Sequence, residues 1–150
     1  MSAPASAGSQ RWVRIAHAGG TAFGVLEADR VREYRGDMHD RPEPTGREFA
    51  LREARLLCPV QPTKVIALWN NYAALGAKLG LAVPPEPLYL LKPSNSWAGP
   101  DVPIRVPRSR GKVVFEGELG IVIGREASGV SESQAMADVF GYTCANDVSA

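Results

Sequence analysis

Residues 113–123 read VVFEGELGIVI and form the longest strand-like stretch of the sequence. Because side chains of a strand alternate between its two faces, this stretch has two distinct faces. One face carries large apolar residues: Phe115, Leu119, Ile121 and Ile123. The other face sets two carboxylates between two valines: Val114, Glu116, Glu118 and Val122. Apolar residues on both faces predict a strand that other elements cover on both sides.

The two carboxylates of this strand need a neutralising partner. Glu116 and Glu118 lie two residues apart on a partly apolar face, where their charges repel each other and solvation is poor. A basic side chain, a shared proton or a bound cation would neutralise them, and Gly117 and Gly120 leave room for a ligand. On its own, a Glu-x-Glu pattern more often marks an edge strand whose glutamates face water, as in a small β-rich binding module.

A third carboxylate ends another apolar run. Residues 141–147 read GYTCAND, which places Asp147 after an Asn at the end of a predicted strand. Three carboxylates make a hard oxygen site suited to Mg²⁺, Mn²⁺ or Ca²⁺, whereas zinc is a poor match. The pattern therefore predicts an oxygen-ligated cation site, with Glu116, Glu118 and Asp147 as its candidates.

The composition excludes several classes of protein. The chain has 150 residues, 17 Lys plus Arg against 16 Asp plus Glu, and a net charge of +1, which does not suit a general nucleic-acid binder. Its 15 Gly and 12 Pro favour short strands joined by turns over a helical bundle. No apolar run approaches the ~20 residues of a membrane span, and residues 1–10 lack the pattern of a secretion signal. We therefore expect a cytoplasmic protein that binds neither nucleic acid nor membrane.

The chain is predicted to divide into two units. A disordered leader at residues 1–10 precedes a small β-rich module at residues 11–58. A linker at residues 59–63 leads to a second unit at residues 64–150. Within the module, Cys58 ends an apolar stretch, as does Cys144 in the second unit, and both are expected to be buried, reduced thiols.

The first unit begins with a predicted hairpin. Residues 12–16 and 22–26 are short strand candidates on either side of Gly19-Gly20, a dipeptide suited to a tight turn. Residues 35–47 predict a loop, and residues 48–57 predict a short helix that ends before a proline. His17 and His39 of this unit are expected to be surface residues.

The second unit alternates strands with short helices. Residues 64–69 predict a strand, Asn70-Asn71 a helix cap, and residues 72–81 a helix. Further extended segments are predicted at residues 88–91, 102–105 and 140–148. The sequence Ser131-Glu132-Ser133-Gln134 matches a capping box and predicts a helix of about two turns.

Four blocks of the second unit resemble the fumarylacetoacetate hydrolase family, in the family's order. They are Lys64–Tyr72 (KVIALWNNY), Leu90–Ser94 (LLKPS), Phe115–Gly124 (FEGELGIVIG) and Gly141–Ala150 (GYTCANDVSA). The resemblance implies an α+β, mainly β fold, a mixed β-sandwich or roll that is incomplete in this chain. It also implies a homodimer and a Mg²⁺ or Mn²⁺ ion held by Glu116, Glu118 and Asp147.

The resemblance implies a small-molecule oxo-acid substrate. Family members cleave, decarboxylate, hydrate or isomerise small 2-oxo, 2-hydroxy-diene and diketo acids, often in aromatic-compound breakdown. A divalent cation chelated by such an acid polarises its carbonyl and stabilises the enolate. Tyr72 and Lys92 are the candidate substrate-binding residues, although core packing explains the former, and an exposed strand end the latter, about as well.

The sequence departs from the family in two places. The lid His and Glu that commonly follow the Asn-Tyr segment are replaced by Leu75 and Lys78, so the catalytic residues stay unknown and decarboxylation or isomerisation is favoured over hydrolysis. The family's later active-site segments, among them a Lys and a Gly-Thr-Pro loop, are absent. We therefore expect the first half of a catalytic domain; the alternative is a non-catalytic metal-binding or structural subunit with an incomplete pocket.

Overall fold

The computed structural model describes residues 9–106, 108 and 111–150, so most of the predicted leader lies outside the described residues. The described chain is mainly β, as predicted. Its strands are β1 Trp12–His17, β2 Gly20–Glu27, β3 Arg30–Arg35, β4 Glu43–Ala50, β5 Arg55–Leu56, β6 Val65–Trp69, β7 Leu88–Lys92, β8 Val114–Ile123 and β9 Val139–Ser149. Its helices are α1 Ala73–Lys78 and α2 Glu132–Ala135, with 3₁₀ turns at Leu51–Glu53 and Met136–Asp138.

The first five strands form one antiparallel sheet in the order β4-β3-β2-β1-β5. The predicted hairpin is present as β1 and β2, whose register runs from Trp12 opposite Val25 to His17 opposite Gly20. Gly20 has φ +123°, a conformation that L side chains rarely adopt, so the turn depends on glycine at this position.

The loop predicted at residues 35–47 and the helix predicted at residues 48–57 are both wrong in part. Strand β4 occupies residues 43–50, and it places Phe49 opposite Val31 and Glu48 opposite Arg32 of β3. Pairing with an existing strand gives Phe49 a half-buried position that an isolated short helix does not offer, so tertiary context overrides helix propensity.

The core of this sheet is small and apolar. Its buried hydrophobic residues come from β1, β2, β3, the loop after β3 and the end of β4: Ile15, Val25, Val31, Met38 and Ala50. Ile15 and Val31 have no exposed surface at all. The first unit therefore has an interior of its own.

The remaining strands form two separate hairpin-like pairs. Strands β6 and β7 are antiparallel, with Val65 opposite Lys92 and Trp69 opposite Leu88. Strands β8 and β9 are antiparallel along nearly their whole length, from Val114 opposite Ser149 to Ile123 opposite Val139. The longest predicted strand is thus confirmed, starting one residue later than expected.

The outer face of the β8–β9 pair is exposed. Four large apolar side chains of β8 are more than half exposed on this face: Phe115 (79%), Leu119 (66%), Ile121 (56%) and Ile123 (57%). The predicted division of β8 into two faces is confirmed, but the expected cover on both faces is wrong for the described residues. The predicted homodimer stays a prediction.

Helix α1 is shorter than predicted and starts differently. Asn70 and Asn71 do not cap it; Tyr72 is the N-cap and makes no side-chain capping bond. Asn70 instead adopts φ +53° and donates from Nδ2 to the Ala82 carbonyl (3.0 Å), which closes the loop around the helix. Gly80, at φ +68°, follows the helix end, as is common for a helix C-terminus.

Other local predictions have mixed outcomes. Ser131 precedes α2 as predicted, but its Oγ bonds to the Gln134 side chain (2.8 Å) rather than capping the backbone. Residues 102–105 form no strand. Cys58 and Cys144 are free thiols, as expected, but the first is half-buried and the second exposed, so their predicted burial is wrong. No helix in the described residues is long and apolar enough to cross a membrane.

Candidate metal centre

The pairing of β8 with β9 brings the three predicted carboxylates to one face. Glu116 lies directly opposite Asp147, and Glu118 lies opposite Ala145 two residues further along the same face. All three acids are half-buried, in contrast to the exposed side chains of the other face. The register therefore collects acids that are up to 31 residues apart in sequence.

Glu118 shows the electrostatic cost of this arrangement. Partial burial raises the pKa of its carboxyl above the ordinary value of 4.5, and the negative charges of Asp147 and Glu116 raise the pKa further. The nearby ammonium of Lys92 acts in the opposite direction. Among the described residues, the site therefore holds more negative charge than the ammonium of Lys92 compensates.

Lys92 is the basic side chain that reaches this site. It is the last residue of β7, and its Nζ lies 2.8 Å from Asp147 Oδ1 and 2.6 Å from Oδ2. Both side chains are mostly buried, with exposed fractions of 24% for the lysine and 19% for the aspartate. A basic side chain, one of the three possible neutralising partners, thus contacts this site.

Tyr72 lies beside the Glu-Gly-Glu segment. Its hydroxyl donates a hydrogen bond to the Gly117 carbonyl (2.8 Å), although the residue is 50% exposed. A Cβ added at Gly117 would meet no atom within 4 Å, so this hydrogen bond does not depend on the missing side chain. This bond fixes the start of α1 next to the carboxylates.

The two residues at the lid positions are solvent-exposed. Leu75 is 46% exposed, and Lys78 is exposed at the end of α1. Within the described residues Lys78 belongs to no ion pair. The helix therefore supplies no acid or base to the carboxylate face.

The donor set fits a hard divalent cation. Three half-buried carboxylates provide only oxygen atoms, which Mg²⁺ and Mn²⁺ prefer, and the charges of Asp147 and Glu116 add to the effect of burial in raising the pKa of Glu118. The side chains are not gathered into a ready-made cage, since no group of three His, Cys, Asp or Glu converges among the described residues. A cation would have to draw them together.

A second polar cluster lies in the first unit and was not predicted. Glu33 of β3 is only 2% exposed, and its carboxylate accepts hydrogen bonds from Thr45 Oγ1 (2.6 Å) and Arg47 Nη2 (2.7 Å). Burial alone raises the pKa of Glu33, but these hydrogen bonds and the charges of Arg47 and His17 hold it below 4.5. The available signal was alternation along β3, which places Glu33 on the same face as the buried Val31.

His17 belongs to this buried cluster, so its prediction as a surface residue is wrong. Its side chain is 7% exposed, stacks on Phe49 with ring centroids 4.5 Å apart, and places Nε2 3.2 Å from Glu33. Nδ1 accepts a hydrogen bond from the Gly19 N–H (3.0 Å). Because Nδ1 accepts this hydrogen bond, the ring nitrogen that can donate toward the carboxylate is Nε2. His39 is exposed, as predicted.

Two family models match the chain. Residues 64–150 match the model described as the C-terminal domain of fumarylacetoacetate (FAA) hydrolase. Residues 10–59 match the model described as Rv2993c-like, N-terminal. The first match covers more than half of the chain and contains all three carboxylates.

Similar proteins are found in bacteria and in animals. The protein Rv2993c of Mycobacterium tuberculosis is 40% identical over 144 residues, which are 91% of this chain and 54% of that protein. The mitochondrial oxaloacetate tautomerase fahd2 of Xenopus laevis is 41% identical over 96 residues, 63% of this chain and 30% of that protein. The chain thus spans about half the length of the first of these relatives and less of the second.

A solved structure shares the fold. The 2-hydroxyhepta-2,4-diene-1,7-dioate isomerase of Mycobacterium marinum superposes with a TM-score of 0.82 at 39% identity. The superposition covers 94% of this chain and 55% of the isomerase. The mixed β architecture predicted from the sequence is therefore confirmed, as the corresponding part of a larger fold.

Proposed function

Because this chain belongs to the fumarylacetoacetate hydrolase family, we propose that it carries the cation-binding part of an enzyme that isomerises or decarboxylates a small 2-oxo or 2-hydroxy-diene acid. The observation that carries the proposal is the inward-facing group of Glu116, Glu118 and Asp147, whose mutual repulsion a divalent cation relieves. A tautomerase and an isomerase among the similar proteins support a small-acid substrate.

Each residue has a defined task in this proposal. The three carboxylates hold Mg²⁺ or Mn²⁺, which when bound polarises the carbonyl of a 2-oxo acid and so eases removal of the neighbouring proton. Lys92 provides a positive charge for the carboxylate of the substrate, and Tyr72 lines the same side of the pocket. The carbonyl oxygen of the substrate thus meets the cation, and its carboxylate meets the ammonium of Lys92.

The reaction type follows from what α1 lacks. Hydrolysis requires a group that activates water, and neither Leu75 nor the exposed Lys78 does so at this site. Keto–enol isomerisation and decarboxylation need chiefly stabilisation of negative charge on the substrate oxygen. These two reactions are therefore favoured over cleavage by water.

Metal binding is the first test. Mg²⁺ or Mn²⁺ should raise the thermal unfolding temperature of the wild-type chain, because a ligand that binds only the folded state stabilises it. The Glu116→Ala/Glu118→Ala/Asp147→Ala variant should lose this response. A control that removes three exposed acids, Asp101, Glu126 and Glu132, should keep it. Unchanged melting curves for the wild type with either metal would contradict the proposal.

Turnover separates this proposal from its alternative. Tautomerisation and decarboxylation of oxaloacetate, and isomerisation of a hydroxymuconate analogue, would be assayed with and without metal. Metal-dependent turnover supports the enzyme. Metal binding without turnover favours a non-catalytic metal-binding or structural subunit, a candidate raised by the chain spanning about half the length of its relatives.

A further inference from the structure

Lys92 forms an ion pair with one carboxylate of the candidate metal centre. Its ammonium touches both oxygens of Asp147, at 2.8 and 2.6 Å, and it reaches across from β7 to β9 to do so. A metal ion that binds Asp147 through the same oxygens has to share them with this ammonium or replace it. The ion pair therefore decides how a cation enters the site.

We propose that Lys92 is an exchangeable counter-ion: a divalent cation displaces its ammonium from Asp147, and the released ammonium then binds the carboxylate of the anionic substrate. This inference rests on the proposed function, and it adds an order of events in which the cation binds first and the acid second. Binding of the cation and binding of the acid thus depend on each other through the side chain of Lys92.

The lysine is the partner that moves. The backbone of Asp147 is fixed in β9 opposite Glu116, within a long antiparallel pairing. Lys92 ends its strand just before Pro93, and its four-carbon stem lets the ammonium swing without backbone movement. With 24% of its surface exposed, the lysine side chain is not fully enclosed.

Charge balance drives the exchange. The three carboxylates carry a formal charge of −3, which Lys92 reduces to −2 and a divalent cation alone reduces to −1. A divalent cation therefore satisfies Asp147 better than the ammonium does, and the two positive groups repel each other at close range. Released beside the cation, the ammonium attracts the carboxylate of a 2-oxo acid.

The proposal predicts opposite effects of one substitution on two ligands. Removing the ammonium should strengthen Mg²⁺ binding, because the cation no longer competes for Asp147. The same change should weaken binding of a carboxylate to the Mg²⁺-loaded protein, because the receptor group is gone. If Lys92 instead stays on Asp147 and only orients it, removal of the ammonium should weaken Mg²⁺ binding.

The test uses calorimetry on the whole chain. Mg²⁺ is titrated into the wild type and the Lys92→Met and Lys92→Gln variants, and pyruvate is then titrated into each Mg²⁺-loaded protein. Lys78→Met is the matched control, because it removes an exposed lysine outside the site. We expect both Lys92 variants to bind Mg²⁺ about tenfold more tightly and pyruvate about tenfold more weakly. The control should match the wild type.

The outcomes distinguish this inference from the proposed function. Mg²⁺ binding by the wild type, with equal or weaker binding by both Lys92 variants, would overturn the exchange and leave the metal site intact. Tighter Mg²⁺ binding with unchanged pyruvate binding would overturn the transfer to the substrate. No Mg²⁺ binding by the wild type or either variant would overturn the proposed function itself. Circular dichroism in EDTA identifies a variant that fails to fold, and the other variant then decides.

Discussion

The N-terminal sheet and the residues that follow it satisfy their apolar and charged groups in different ways. In the first unit, Ile15 has no exposed surface and the buried Glu33 finds its partners within the same sheet. In the part of the second unit that the structure describes, Phe115 is 79% exposed, and of the three clustered carboxylates Asp147 pairs with the ammonium of Lys92. The first unit thus satisfies these buried groups internally, whereas the second presents groups suited to ligands or to further protein surface.

The largest effect should come from the core of the first unit. Replacing Ile15 by Ala removes buried methyl groups and leaves a cavity, which costs about 2–5 kcal/mol of unfolding free energy. Replacing Leu119 by Ala on the exposed face should cost less than about 0.5 kcal/mol. Urea unfolding measures the free-energy change of each variant, and amide exchange locates it in β1 for the Ile15 variant and in β8 for the Leu119 variant. A similar cost for the two variants would mean that the outer face of β8 is covered in solution.

The next effect concerns the buried carboxylate. Replacing Glu33 by Gln should cost about 1–3 kcal/mol, because Arg47 and His17 lose their charged partner, and the exposure of Arg47 limits the loss. The pKa of Glu33 is lower in the folded state than in the unfolded state. Its contribution to stability is therefore fully present above the unfolded pKa and is lost as the pH falls through the folded pKa.

The variant should therefore show a flatter acid limb than the wild type when unfolding is measured across this pH range. Glu48→Gln is the control, since its ion pair with Arg30 is about half exposed and contributes at most ~1 kcal/mol. Identical acid limbs for wild type and the Glu33 variant would show that this cluster does not control acid stability.

The smallest effect tests whether the two regions are coupled. The rings of His39 and Phe140 meet edge to face with centroids 4.4 Å apart, one from each region. A double-mutant cycle with alanine at both positions should give a coupling of about 0.5–1 kcal/mol. A coupling of zero would make the two regions energetically independent and would sharpen the contrast between them.

Local sequence patterns correctly predicted those elements whose own residues carry the signal. The alternation in β8 correctly divided the carboxylates from the large apolar residues, and Gly19-Gly20 marked the first hairpin. Strand β4 was missed because its residues are mostly exposed and polar, so neither alternation nor hydrophobicity identified it. Its position is set by pairing with β3, a partner that a local pattern does not show.

The structure brings the three predicted acids to one face of a strand pair, but the ion pair that one of them makes was not predicted from the sequence. Residue type and spacing indicated the three acids, and family resemblance pointed to Lys92. The contact between Lys92 and Asp147 joins residues 55 positions apart in sequence, so only the tertiary structure reveals it. The buried pair of His17 and Glu33 was missed for the same reason, because each residue alone is typical of a surface strand.

The order of strands in the first sheet has a consequence for folding. Strands β1 to β4 pair with their neighbours in sequence, so each pairing closes a short loop and costs little chain entropy. Proteins rich in such local contacts fold quickly, and N-terminal segments leave the ribosome first. The first sheet can therefore form while later strands are still being synthesised. Phe140 of β9 can then pack against His39 on a region that is already folded.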